Sequence, residues 1–186
     1  TDGKLYKIEN LTGYHLTIDD DIHYPEDYVS SLKNCLKENS FNCIAGVHGI
    51  DILYESFKNY YDLNSRRVYT YNKALKQNTQ VHILGTGTVG YHTSSFRPNL
   101  IEVNKPFMLD IFFAIQANRE GLPMICVKRE KDWIKDYETN NNTKIYTKFR
   151  NDDKGQSKLV LDYVLDKPYE STIKKANIKK DNLQEY

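Results

Sequence analysis

Three consecutive acids, Asp19, Asp20 and Asp21, close the short apolar run Tyr14 to Ile18 and are followed at once by Ile22-His23-Tyr24-Pro25. Like charges side by side repel, so a strand end that carries them calls for a cation or hydrogen-bond donors beside it. Hard divalent cations such as Mg2+ or Mn2+ take one or two protein carboxylates and fill the rest of their shell with water and phosphate oxygens. The triplet is therefore a candidate seat for a metal bound to a diphosphate. The competing account is a solvated acidic turn that caps the helix after it, where Asp is ordinary.

Asp110 lies early in an otherwise apolar helical stretch, with Phe107 and Phe113 on its side of the helix. It is a candidate general base for a hydroxyl, or else a first-turn acid that complements the helix dipole. Gly85 to Gly90 matches G-x-G-x-x-G, the dinucleotide fingerprint, but that loop must open a helix. Val89 to Phe96 is β-branched and aromatic, and Pro98 follows, which argues for a strand instead. His48 and His92 stand beside a glycine or at a strand end and are candidate ligands, whereas His82 reads as packing or solvent-facing. Arg97, Lys128, Arg129 and Trp133 suit phosphate or a sugar or base ring, with a solvated surface as the alternative.

The elements that must position these groups follow from periodicity. Residues 25 to 38 read as an amphipathic helix with Tyr28, Leu32, Cys35 and Leu36 inward, and Cys43 to Val47 as a buried strand ending at His48. Residues 50 to 80 show no clean period and read as a mobile, aromatic-rich loop. Val81 to Leu84 and Val89 to His92 read as strands joined through Gly85 to Thr88, where glycine permits positive φ or a close approach. Pro106 to Glu120 is the clearest helix, with Gly121 placed as its C-terminal cap and Pro123 beyond, followed by a strand at Met124 to Val127. A short strand at Lys144 to Phe149, a last helix over 157 to 165 and a frayed Lys-rich end complete the expectation.

Lys and Arg number 26 against 25 Asp and Glu, so the basic footprint of a nucleic-acid binder is missing. No apolar run approaches the length of a membrane span, so no integral membrane segment is expected. Cys35, Cys43 and Cys126 form no CxxC pair and fit buried thiols in a reducing compartment, taken as the cytoplasm. A chain of 186 residues supports one sizeable core. It opens at Thr1 and reaches its acidic strand end within about twenty residues, too early for a complete nucleotide-binding sheet. A fragment lacking its front is the expectation.

Taken in order, Thr17 to Val29, Ala45 to Gly49, Leu84 to Thr93, Pro106 to Ala114 and Arg129-x-x-x-Trp133 resemble bacterial family 2 glycosyltransferases of the GT-A fold, over roughly residues 1 to 165. The resemblance implies an α/β fold with a GT-A-like mixed sheet flanked by helices and incomplete at the N-terminus. Residues 1 to 165 would be the C-terminal part of the catalytic domain and 166 to 186 a tail. It makes the acidic triplet the family's DxD motif, with Asp19 and Asp20 toward the nucleoside and Asp21 the direct ligand of Mn2+ or Mg2+. Asp19 and His92 are further candidate ligands. Asp110 matches the catalytic base, and Gly85, Thr86, Gly87 and His92, with Arg129 and Trp133 as a loose match to a basic-and-tryptophan motif, would bind the donor. His48 would face the acceptor. The implied activity is inverting transfer from a nucleotide-sugar, UDP-sugar above all, to a saccharide or lipid-linked saccharide in bacterial surface polysaccharide or glycolipid synthesis. Without the front segment, donor binding and turnover are expected to be weak. The rival readings are a carbohydrate- or nucleotide-binding module, motivated by the Tyr-rich 54 to 71 region, and a dinucleotide oxidoreductase.

Overall fold

The structure, a computed structural model, describes residues 2–5, 8–99, 108–137 and 153–165. In chain order the strands are β1 (Tyr14–Leu16), β2 (Ile22–His23), β3 (Ile44–Gly46), β4 (Gly49–Ile52), β5 (Arg66–Tyr69), β6 (Thr79–Val81), β7 (Ile83–Leu84), β8 (Val89–His92), β9 (Met124–Cys126) and β10 (Lys135–Asp136). The helices are α1 (Tyr28–Glu38), α2 (Leu109–Arg119) and α3 (Lys154–Leu159), the last running into a π-helical turn, Val160–Val164. Single 3-10 turns cover Asp2–Leu5, Ile8–Asn10 and Tyr54–Ser56.

Period-two alternation along the two central strands sets the layers. Ile44 of β3 and Met124 and Cys126 of β9 face one core with α2, while Ala45, Val47, Ile125 and Val127 face a second core with α1. Both faces of these strands are dry, which is why they read as unbroken apolar runs. They pair in parallel, Ile44 with Met124, inside a mixed five-stranded sheet of order β1-β8-β3-β9-β6. The other pairings in that sheet are antiparallel. An α/β protein with a mixed sheet and few helices is therefore observed.

α1 buries Tyr28, Leu32, Cys35 and Leu36, the stripe its spacing predicts. Its first residue is Tyr28 and its N-cap Asp27, so Pro25 belongs to the preceding turn, where its carbonyl accepts from Tyr28 N–H at 3.0 Å. α2 is buried almost all round, from Leu109 through Ala117 with only Asp110 partly exposed, because the sheet covers one side and the π-helical turn the other. Tyr91, Phe96 and Phe113 meet edge-on or tilted at 5.0–5.7 Å in this core. Gly121 ends α2 at φ +68, a left-handed cap that costs glycine little, and Leu122 N–H closes it on the Ala117 carbonyl at 2.9 Å.

Two expectations are corrected. Residues 50 to 80 are not one loop: β4 and β5 lie in it and form a second antiparallel sheet of order β5-β4-β7. The periodicity was hidden because these strands are short and bear exposed or half-exposed Arg67, Val68 and Tyr69. Val81 to Leu84 is likewise not a single strand. The chain changes sheets at His82, whose N–H donates to the Ile50 carbonyl at 3.0 Å and whose Nδ1 accepts from Ile52 N–H at 3.0 Å. The strand expected at 144 to 149 and the Lys-rich end lie outside the described residues.

Candidate functional site

β1 and β3 both run antiparallel to β8, so their C-terminal ends meet the loop that leads into β8. Ligand sites of α/β sheets form at such carboxyl ends. Thr17 N–H donates to the Val89 carbonyl at 2.9 Å, extending the β1–β8 ladder and bringing Asp19 opposite Gly87. A Cβ on Gly87 would overlap Asp19 Oδ2, so only glycine lets the carboxylate lie over this backbone. Neither Gly85 nor Gly87 has positive φ, which leaves close approach as the reason for glycine at 87. From the other strand end, His48 N–H donates to Thr88 Oγ1 at 3.1 Å and the His48 carbonyl accepts from Gly85 N–H at 2.9 Å.

Asp110, in the first turn of α2, reaches the same loop. Its Oδ1 accepts from Thr86 N–H at 2.8 Å and from Thr86 Oγ1 at 2.6 Å, and the Thr86 carbonyl in turn accepts from the buried Thr17 hydroxyl at 2.5 Å. Oδ1 is thus fully engaged, and Oδ2 has no hydrogen bond among the described residues. The carboxylates of Asp19 and Asp110 come to adjacent residues of one loop.

The acidic triplet caps no helix. Asp27 occupies the N-cap of α1, and Asp19 N–H is held instead by the Tyr24 hydroxyl at 2.8 Å, which itself donates to the Gly87 carbonyl at 2.6 Å. Burial, opposed by that bond to the Asp19 backbone and assisted by the charges of Asp19 and Asp21, pushes the Tyr24 phenol up to about 12. Asp21 is exposed, and its carbonyl accepts from Tyr137 N–H at 3.0 Å alongside the β2–β10 ribbon. Tyr71 donates its hydroxyl to Asp136 Oδ1, and burial together with Asp136, Asp21 and Asp19 holds its phenol well above the usual range. Of these acids Asp136 alone is in contact with the phenol. Lys4 Nζ pairs with Asp19 Oδ1. Asp20 is exposed.

His48 is held against the same loop by its backbone bonds to Thr88 and Gly85. Its ring stacks on Tyr71 at 5.8 Å, and desolvation holds its pKa below the ordinary value, opposed by Asp110 and assisted by Arg129 and Arg66. The neutral imidazole is the resting form at neutral pH.

Among the residues singled out from sequence, Asp19, Gly85, Thr86, Gly87, His48 and Asp110 come together, while Asp21 lies exposed beside the β2–β10 ribbon. Three do not sit where the expectation put them. His92 pairs with Tyr14 at the far end of the β1–β8 ladder, about 17 Å from Asp19 at roughly 3.4 Å per residue. Its ring packs on Tyr14 and Phe41 and its Nδ1 meets Ser94 Oγ at 2.6 Å, so it ligates no metal with Asp19 and Asp21. Arg129 is buried, and its Nη atoms donate to the carbonyls of Val127, Tyr69 and Thr70 at 2.7–3.2 Å and to Cys126 Sγ. It ties the end of β5 to the end of β9 and so positions Tyr71; the phosphate-binding face of its guanidinium is already spent. Trp133 donates Nε1–H to Asp27 Oδ1 at 2.9 Å and leans on Tyr28, which leans on Tyr24, so it braces the acidic turn from two rings away.

The residues that sequence reading missed are Lys4, Thr17, Tyr24, Tyr71 and Asp136. Tyr24 alone left a local signal, a phenol three residues beyond the last acid and before a proline.

Among the described residues no group of three or more His, Cys, Asp or Glu is arranged to hold a metal ion, and no helix is long and apolar enough to cross a membrane. Toward a hard cation the residues present offer the carboxylate of Asp19, which is paired with Lys4, and that of the exposed Asp21. No protein-family model matches the chain, and no curated protein matches it at a significant level.

Proposed function

We propose that this chain is an inverting, metal-dependent glycosyltransferase of GT-A-like fold that moves a sugar from a nucleotide-sugar to a hydroxyl acceptor. The observation that carries the proposal is the convergence of Asp19 and Asp110 on Gly87 and Thr86 at the carboxyl ends of β1 and β3. Asp19 and Asp21 would hold Mn2+ or Mg2+, which when bound supplies counter-charge to the leaving diphosphate.

Asp110 is built to act once. With Oδ1 fixed by two donors from Thr86, Oδ2 takes the proton of the acceptor hydroxyl as that oxygen bonds to the anomeric carbon. The bond from that carbon to the diphosphate breaks, and its electron pair leaves with the phosphate. No second nucleophilic carboxylate is required, since no covalent sugar-enzyme bond forms. Neutral His48, beside Asp110, can accept or donate one hydrogen bond to the incoming sugar without adding charge.

The ion pair from Lys4 to Asp19 favours a second reading, a sugar- or nucleotide-binding module, because an ammonium already neutralises the acid that would take the metal. A thermal-shift panel of nucleotide-sugars with and without Mn2+ separates the two, since a native-state ligand raises the melting temperature. The transferase requires a Mn2+-dependent shift lost in Asp21→Ala, and turnover that falls by about 10²–10⁴ in Asp110→Asn while donor binding survives. Sugar binding indifferent to both substitutions would leave the module.

A further inference from the structure

Asp110 does not serve the helix it opens. No side-chain hydrogen bond caps α2 at Met108, and the Asp110 carboxylate turns instead to the loop before β8, where Oδ1 takes Thr86 N–H at 2.8 Å and the Thr86 hydroxyl at 2.6 Å. Two donors from one residue on one oxygen fix the plane of the carboxylate as well as its place. The hydroxyl bond has the length of a charge-assisted O–H···O contact. Thr86 is 5% exposed, so water does not take over from a donor that is lost.

Thr86 is itself held from behind. Its carbonyl accepts from the hydroxyl of Thr17, a buried residue two positions before Asp19, at 2.5 Å. To one side Gly85 N–H donates to the His48 carbonyl at 2.9 Å, and to the other the Gly87 carbonyl accepts from the Tyr24 hydroxyl at 2.6 Å. Thr88 N–H closes the turn on the Gly85 carbonyl at 3.1 Å. The β-branched side chain of Thr86 adds stiffness at χ1. A reacting group is held to its productive geometry by a second layer of bonds of this kind.

The loop is pinned at Gly85, Gly87 and Thr88 without help from the Thr86 hydroxyl. That hydroxyl therefore adds orientation to Asp110 and not shape to the loop. With both of its donors on Oδ1, Oδ2 is the oxygen turned to a ligand.

Resting on the proposed transferase reading, we infer that Thr86 is the positioning residue for Asp110 and that Thr17 holds the Thr86 peptide in place, so that two buried hydroxyls aim Oδ2 at the attacking oxygen. In transfer to water, the water oxygen bonds to the anomeric carbon and its proton passes to Asp110 Oδ2, while the bond from that carbon to the diphosphate breaks with its electron pair on the phosphate oxygen. A carboxylate free to turn is out of line for most of the time. That slows this step and leaves donor affinity alone.

The test follows hydrolysis of UDP-glucose, UDP-galactose and UDP-N-acetylglucosamine by the full chain with Mn2+, read as UDP released, so that no acceptor need be known. Thr86→Val removes the hydroxyl and keeps the shape, and should lower kcat by roughly ten- to a hundredfold, the range for a hydrogen bond to a charged group, with KM and the Mn2+-dependent thermal shift unchanged. Thr86→Ser restores the hydroxyl and should recover most of the loss. In Asp110→Asn, adding Thr86→Val should cost nothing further, since the residue acts through Asp110. A native kcat in Thr86→Val, a loss that Thr86→Ser does not recover, a loss carried by KM, or one that adds in full to that of Asp110→Asn overturns the inference. Where Thr86→Val fails to fold, Thr17→Val takes its place, with an expected loss in kcat of about fivefold for one neutral hydrogen bond and the same refuting results. A native chain without any Mn2+-dependent nucleotide-sugar shift sinks the transferase reading and the role of Thr86 with it. One that shows the shift and hydrolyses none of the three donors loses Asp110 as the base, and Thr86 as its support. Turnover as fast in Thr86→Val as in the native chain sinks the role of Thr86 alone.

Discussion

Replacing Gly87 with Ala tests the central geometry, because the outcome for stability and the outcome for binding point in opposite directions. The new Cβ would lie 2.6 Å from Asp19 Cγ and overlap Oδ2. Non-bonded carbons prefer about 3.5–4.0 Å, so the carboxylate must swing away by roughly 1 Å. Asp19 is 38% exposed at its side chain, and it can swing into water. The loss is then bounded by its ion pair with Lys4, about 0.2–1 kcal/mol for a pair this accessible. Against it stands the stiffening of the unfolded chain, about 0.4–1 kcal/mol for Gly→Ala where φ is permissive, as it is at 87. The net change is within about 1 kcal/mol, less than about 4 °C in melting temperature. Mn2+-dependent nucleotide-sugar binding, by contrast, should be lost, since Asp19 no longer lies over the loop.

The background supplies the decisive sign. In Asp19→Ala the obstruction is gone, so adding Gly87→Ala should stabilise the chain by about 0.4–1 kcal/mol, measured by urea denaturation. The two substitutions must therefore be non-additive. Effects that add to within about 0.3–0.5 kcal/mol, or Gly87→Ala with native nucleotide-sugar binding, would refute the placement of Asp19 over Gly87.

Removing the Lys4 ammonium in Lys4→Met frees Asp19 Oδ1, so Mn2+ should bind tighter by up to about fivefold, the equivalent of a 1 kcal/mol ion pair; calorimetric titration checks this, and unchanged affinity would show that the pair does not compete. His48 has a folded-state pKa below its unfolded value, so the unfolded chain takes up the proton first as pH falls below 6.5 and native stability declines through that window. His48→Gln should flatten the decline between pH 7 and 5 without abolishing it, because His15 is also held low by burial. In Asp110→Asn, losing the charge that raises it, the His48 pKa should fall further, read from its ring resonances by NMR.

How much of this was legible differs by residue for physical reasons. The fully buried strands β3 and β9 and the helix α2 announce themselves as apolar runs, since a dry environment on all sides leaves no polar residue to blur the pattern. Asp19 and Gly87 were readable as types, an acid at a strand end and a glycine that permits close approach, although their mutual contact depends on the β1–β8 register. Arg129 misled because a guanidinium that binds phosphate and one that ties three carbonyls together are the same residue in sequence. His92 misled because a β-strand of four residues carries its two ends more than 10 Å apart at about 3.4 Å per residue, and the glycine loop belongs to the other end. β4 and β5 were illegible because an edge sheet with one exposed face has too few residues per strand to show alternation.

The distribution of charge gives the site its internal logic. Acids gather at the end of β1 and along the β2–β10 ribbon, with Lys4 on one of them, and His48 feels the charges of Asp110, Arg129 and Arg66. A neutral histidine is what that arrangement enforces, because desolvation and the charges of two guanidinium groups outweigh one carboxylate.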